Sequence, residues 1–360
     1  MMQFVTYRLA TAACLLFALT LVTFVIYATI PVEPAGFLVD IQHATPQQIA
    51  AAHQALGLDH SIWYRYGEYL LHFAQGDFGV AWSSLGIGYD GQIHGTPVGH
   101  MVYEAAGVTA SVIFGGAVLL VLLAVPLALI SARSPRSYLD RTVVAISLIG
   151  ISTHPLVIGV VLRLLFGERW RWLPPTGYCN LTGPPAQPDF RLANGSIPHA
   201  CGGLRDWTTH LILPWVTFAL FFVALYMRML RARLLETLHT HYVRTARAKG
   251  AGEMRVLRKH ALPNVIAPMI IMLAMDAGTA IGISIYIESV YFLPGVGHLV
   301  LDALNGERGY DLPLILGVMF ISATAIIALN ATADVVARMI DPRISSVSRS
   351  GAGGVRSGLG

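Results

Sequence analysis

Val108-Thr-Ala-Ser-Val-Ile-Phe-Gly-Gly-Ala-Val-Leu-Leu-Val-Leu-Leu-Ala-Val-Pro-Leu-Ala-Leu-Ile-Ser131 carries no Asp, Glu, Lys or Arg in 24 positions. At about 1.5 Å per residue, a helix of that length covers about 36 Å, enough to cross the roughly 30 Å hydrocarbon layer of a bilayer. Outward from it, five more segments meet the same requirement: Leu9–Ile30, Thr142–Phe166, Leu211–Met229, Val265–Tyr286 and Leu314–Val336. Pro126 and Pro155 interrupt two of the six; such breaks persist in membranes where neighbouring groups satisfy the freed carbonyls. The composition agrees with this reading. Only 12% of the 360 residues are charged and 55% are hydrophobic, whereas a soluble domain carries about 25% charged residues. A larger water-soluble core does not explain the deficit, because its surface still needs polar cover, and a disordered chain would be polar. The expectation is an all-α integral membrane protein with six transmembrane helices.

Basic residues set the orientation of such a chain. The net charge of +4 rests on arginine, with Lys249 and Lys259 as the only lysines. In a membrane protein it reports topology, and no nucleic-acid partner is implied. Six spans put both termini on the side that receives 17 Arg and Lys, against 6 on the other. Both termini are therefore expected in the cytoplasm. The first span reads as an uncleaved anchor, since its apolar run of about 20 residues exceeds the 7–15 of a secretory signal.

The first outer loop, residues 31–101, is large and structured. Thr45-Pro46-Gln47-Gln48 combines an N-cap, a first-turn proline and a capping-box glutamine. A second amphipathic stretch, Ser61–Ala74, offers Trp63, Tyr64, Tyr66 and Tyr69 to a membrane interface. The second outer loop, 167–209, contains Cys179 and Cys201, which favour a disulfide in an oxidising exterior. Residues 345–360 are Ser, Gly and Arg and read as a disordered tail.

No element for hydrolysing a nucleotide is present. Neither lysine follows a glycine, so no P-loop exists. No H-E-x-x-H or C-x-x-C occurs, and His239, His241 and His260 read as solvated polar positions. The chain reads as a non-enzyme without a cofactor or metal of its own.

The informative polar stretch is the inward connection at 240–263, Tyr242-Val-Arg-Thr-Ala-Arg-Ala-Lys-Gly250-Ala-Gly-Glu-Met-Arg-Val-Leu-Arg-Lys-His260-Ala-Leu-Pro263. Its residues predict a helix up to Lys249, a sharp turn at Gly250 and Gly252, and a second short helix to Leu262. Pro263 would then open the fifth span. By itself this is also compatible with a topogenic arginine cluster near acidic lipid.

These residues resemble the EAA loop of ABC-importer permeases, with Ala246, Gly250 and Leu262-Pro263 at the family's spacing. The wording is similar to the dipeptide/oligopeptide/nickel branch, and the likeness extends along the chain. Leu56-Gly57-Leu58-Asp59, Gly76-Asp77-Phe78-Gly79, Pro294-Gly295-Val296-Gly297, Leu301-Asp302-Ala303-Leu304, Asn330, Asp334 and Asp341-Pro342-Arg343-Ile344 all fit it. Arg244 stands where the family core has glutamate, followed by Thr245, a wording common in this branch.

The resemblance implies a type I ABC importer permease fold over residues 1–344. It also implies pairing with a second homologous permease, two ATPases that bind ATP and Mg, and an extracytoplasmic solute-binding protein. The segment Thr245–Glu253 would then fit a groove of an ATPase. Gly250 would set its angle, and Arg244, Arg247 and Lys249 would meet acidic residues of that partner.

The route for a di- or oligopeptide would be lined by the fifth span, at Asp276, Thr279 and Glu288. An intramembrane carboxylate costs about 2.5–3.5 kcal/mol on insertion scales. Asp276 therefore either faces the solute's amino group or bonds another helix, while Glu288, at the outer end, is a gate or an exposed cap. Arg163, inside the third span, is expected to snorkel outward. The same architecture would also serve import of nickel, glutathione or another small solute. A secondary carrier or channel is the reading of a different class; its inverted repeat is not found.

Overall fold

The structure, a computed structural model, describes residues 2–29, 34–40, 43–87, 93–138, 140–142, 145, 153–181, 202–304 and 310–340. Among these, four helices are long and apolar enough to cross a membrane: Val98–Arg133, Leu204–Leu238, Glu253–Tyr291 and Leu312–Ala333. A shorter apolar helix covers Ala10–Ile26. Residues 143–144 and 146–152 of the expected third span lie outside the described residues, and its later part is helical from Pro155. The described spans run past their apolar centres. The fourth, expected over Leu211–Met229, extends to Leu238 and carries Arg228, Arg231 and Arg233 on its final turns. Apolar length marks the buried part of a helix, while capping and packing set its ends.

The chain divides into two compact units. The first, Met1–Ala110 with Leu293–Ile327, contains α1 (Met2–Thr29), α2 (Pro46–Ala55) and α3 (Ile62–Ala74). It also holds a ladder of two-residue strands, β1 (Gly86–Ile87) antiparallel to β2 (Ile93–His94), a small departure from an all-α chain. The start of α4 (Val98–Arg133) follows. The expected capping box is present: Gln48 N–H donates to Thr45 Oγ1, and Thr45 N–H donates to Gln48 Oε1 at 2.8 Å.

The four aromatics of Ser61–Ala74 do not share one role. Trp63 and Tyr64 are exposed, whereas Tyr66 is buried, with its hydroxyl 3.0 Å from Thr20 Oγ1 of α1. Helical spacing sends Tyr66 and Phe73 into a cluster with Phe24, Leu312 and Leu316. Buried Asp311 opens the last helix. It accepts hydrogen bonds from the Ser83 amide at 2.8 Å, the Ser83 hydroxyl at 2.7 Å and the Leu314 amide at 3.1 Å.

The second unit, Ser111–Phe292 with Ala328–Gly360, holds the rest of α4, then α5 (Pro155–Leu162) with a π turn over Arg163–Arg169, and α6 (Leu204–Leu238). The short helix α7 (His241–Ala248) precedes α8 (Glu253–Tyr291). The remaining elements are α9 (Val296–Leu304), in the first unit, and α10 (Leu312–Ile340).

Small residues allow the close approach of helices here. A Cβ on Gly115 would stand 2.1 Å from the Trp215 ring, whose Nε1 donates to Ser111 O at 2.9 Å. Tyr291 links three helices of this unit: its hydroxyl lies 2.8 Å from Thr217 Oγ1 and donates to Gly159 O at 3.2 Å. Arg163 is held locally: it donates to Val290 O at 2.8 Å, pairs with Glu168 at 3.2 Å and sits 5.3 Å from the centre of the Phe292 ring.

Candidate functional site

α7 is built as a two-faced helix. Val243 and Ala246, three residues apart, are buried, while Tyr242, Arg244, Thr245 and Arg247 are exposed. Ala246 thus seats the helix on the body of its unit. The helix ends at Lys249, and Gly250 takes φ +81°, a conformation that L residues disfavour and glycine accepts freely. Gly252 has φ −64°, so Gly250 alone makes the sharp turn.

Two contacts rigidify this turn. Arg247 Nη2 donates to Glu253 Oε1 at 2.6 Å and its Nε to Oε2 at 3.2 Å, closing the loop across Gly250. These two residues pair with each other while each stays 40% exposed. Exposed pairs of this kind add about 0–1 kcal/mol, but the bidentate geometry fixes direction. Asn264 Nδ2 donates to Tyr242 Oη at 2.6 Å and to His260 O at 3.2 Å, which fastens α7 to the base of α8.

Beyond the turn, no separate helix ends at Leu262. α8 runs from Glu253 into the span through a π turn over Val256–Ala261. The wider turn accommodates Pro263, which lacks an N–H and would crowd the carbonyl four residues earlier. Arg244, Thr245 and Lys249 remain as an exposed rim around Gly250. Among the described residues Arg244 and Lys249 form no ion pair, so their charge is available to an acidic surface.

The expected pathway residues are only partly gathered. Asp276 is half-buried and accepts a hydrogen bond from Tyr226 Oη at 2.7 Å, tying α6 to α8. Thr279, three residues on, is exposed and borders the same side of the helix. Glu288 is fully buried, so it is not an exposed cap. At about 100° per residue it points nearly opposite to Thr279. Cys179 is buried and disulfide-bonded, with Sγ 3.3 Å from His210 Nδ1. Cys201 lies outside the described residues, as does the 345–360 tail.

Sequence reasoning missed a third cluster. Asp140, 3% exposed, receives Arg231 Nε and Nη2 at 2.7 Å each, the Arg136 amide at 2.8 Å and the Ser131 hydroxyl. The Arg231 hydrogen bonds hold its carboxyl well below the usual carboxylate range against the opposing effect of burial. A signal existed: Asp140 is the only acid in a stretch that holds Arg133, Arg136 and Arg141. Its partner lies 91 residues away, a distance no local pattern spans.

Residues 124–346 match the family described as binding-protein-dependent transport system inner membrane component. Residues 1–111 match the N-terminal region of such membrane components. A dipeptide transport system permease protein of Alkalihalophilus pseudofirmus is 28% identical over 96% of this chain and 99% of its own length. A putative peptide permease protein of Brucella suis is 31% identical over the same shares, and the dipeptide transport system permease protein of Escherichia coli is 28% identical. A chain of the MetNI methionine ABC transporter, solved in an inward-facing conformation, is 16% identical. It aligns with 67% of this chain and 96% of its own at a TM-score of 0.50, a likeness of fold alone.

Proposed function

The chain belongs to the binding-protein-dependent transport system inner membrane component family, and on that premise we propose that it is the permease subunit of an ATP-driven importer of di- and oligopeptides. It would line half of the translocation route, paired with a second homologous permease. Two ATPases would bind ATP and Mg, and an extracytoplasmic binding protein would deliver the solute. Both termini would lie in the cytoplasm of a bacterial cell, with Cys179 and Cys201 bridged on the outer side.

The observation that carries this reading is the exposed turn around Gly250, stiffened by Arg247–Glu253 and fastened to α8 by Tyr242–Asn264. A motor outside the membrane acts on a helix only through a rigid contact, and this one passes directly into a span. The nucleotide-bound state of the ATPases would then favour an outward-open route and hydrolysis an inward-open one. Asp276, held by Tyr226, keeps acceptor capacity for a peptide amino group, since a carboxylate offers about four lone-pair sites.

The test is Gly250→Asp in proteoliposomes with all partners present. Uptake is expected to be lost while membrane insertion is retained. Full peptide uptake by that variant would remove the coupling role.

A further inference from the structure

The face of α3 beside Tyr66 carries Arg65, Glu68, Tyr69 and His72 at helical spacing. It borders a cavity of about 500 Å³, within the range of small-molecule sites. Phe78, Trp82, Leu312 and Leu316 supply an apolar wall. All of these residues lie in the first unit.

The polar side is only half satisfied. His72 Nδ1 pairs with Asp77 at 3.3 Å. Arg65 and Glu68, opposite in charge and one turn apart, pair neither with each other nor with any other described residue. Arg65 is half-buried, and desolvation lowers its pKa from the ordinary value. A guanidinium still stays charged, so a partly desolvated cation stands here without a counter-ion. Beside it, the Tyr69 hydroxyl is buried and has no hydrogen-bond partner among the described residues. A solvated face would not combine a desolvated charge, a dry hydroxyl and an aromatic wall.

We propose that this cavity is a binding site for a small zwitterion with an apolar body. Its anionic group, carboxylate or phosphate, pairs with Arg65, its ammonium with Glu68, and its apolar part lies against Phe78 and Trp82. Two sources carry that chemistry: a free dipeptide with apolar side chains, or the ethanolamine-phosphate headgroup of a lipid.

The experiment is equilibrium binding of labelled Leu-Phe and of dihexanoyl-phosphatidylethanolamine to the full-length chain in a non-ionic detergent. It uses no ATP and no partner, so its outcome is separate from that of the coupling test. Arg65→Gln and Glu68→Gln are each expected to weaken binding about tenfold or more, the scale of a charge-assisted hydrogen bond. Arg65→Lys should retain most of the affinity. N-acetyl-Leu-Phe should be insensitive to Glu68→Gln, and Leu-Phe-amide insensitive to Arg65→Gln. Dipeptide binding with this pattern supports the site and assigns a peptide; lipid binding alone with sensitivity to both glutamine variants supports it and assigns the headgroup. Absence of binding of either probe at millimolar concentration overturns the proposal, as does binding that neither substitution changes in monodisperse protein.

Discussion

Replacement of Asp140 by asparagine removes one charge and leaves Arg231 facing a neutral amide. The carboxylate is 3% exposed and takes four hydrogen bonds, from Arg231 twice, Arg136 and Ser131. Arg136 moreover sits at φ +64°, a strained conformation that the hydrogen bond from its backbone N–H to Asp140 helps to hold. Removing one partner of a fully buried pair costs about 3–5 kcal/mol. Water reaches the Arg231 side chain, 25% exposed, so the expected loss falls below that range, about 2–3 kcal/mol. Equilibrium unfolding of the purified chain in mixed micelles by sodium dodecyl sulfate measures it. The double replacement Asp140→Leu with Arg231→Met removes both charges and should return stability to within about 1 kcal/mol of the parent.

The pH dependence has a defined sign. The folded carboxyl titrates below its unfolded value of about 3.9, so its stabilisation is complete above that value and is lost as pH falls toward the folded one. Between pH 5 and 8 the cluster should contribute no slope. A loss below about 0.5 kcal/mol for Asp140→Asn, or a double variant as unstable as the sum of the singles, would refute the reasoning.

At Gly250 a Cβ meets nothing within 4 Å, so backbone conformation and not space decides. Alanine there should cost about 1–2 kcal/mol of the turn and asparagine less; initial rates of ATP-driven uptake should rank glycine, asparagine, alanine, and equal rates for the last two would contradict this. Gly115→Val should destabilise the chain by about 1–3 kcal/mol through collision with Trp215. Gly107→Ala, with open space at its Cβ, should be neutral or stabilising in the same sodium dodecyl sulfate unfolding assay. A double-mutant cycle on Tyr242→Phe and Asn264→Ala should show about 1 kcal/mol of coupling for the hydrogen bond that fastens α7 to α8.

Local chemistry determined much of this protein. Runs free of charge, such as 108–131, specify helices in lipid because hydrocarbon accepts no unpaired backbone polar group. Thr45-Pro46-Gln47-Gln48 caps its helix, and Gly250 turns the chain, because both depend on residues a few positions apart. Ala246 and Gly250 with Leu262-Pro263 likewise carried the family resemblance by spacing alone.

Tertiary packing decided which way side chains face and whom they meet. Ala246 turned inward, Arg247 closed on Glu253, Arg163 found Val290 O, and Glu288 was buried opposite Thr279. The Asp140–Arg231 pair exists only because packing brings α6 beside a residue 91 positions earlier in the chain. Helical periodicity is shared by every face of an apolar span, and among such faces only the neighbouring helices, through close contacts such as Gly115 on Trp215, select the one that is buried.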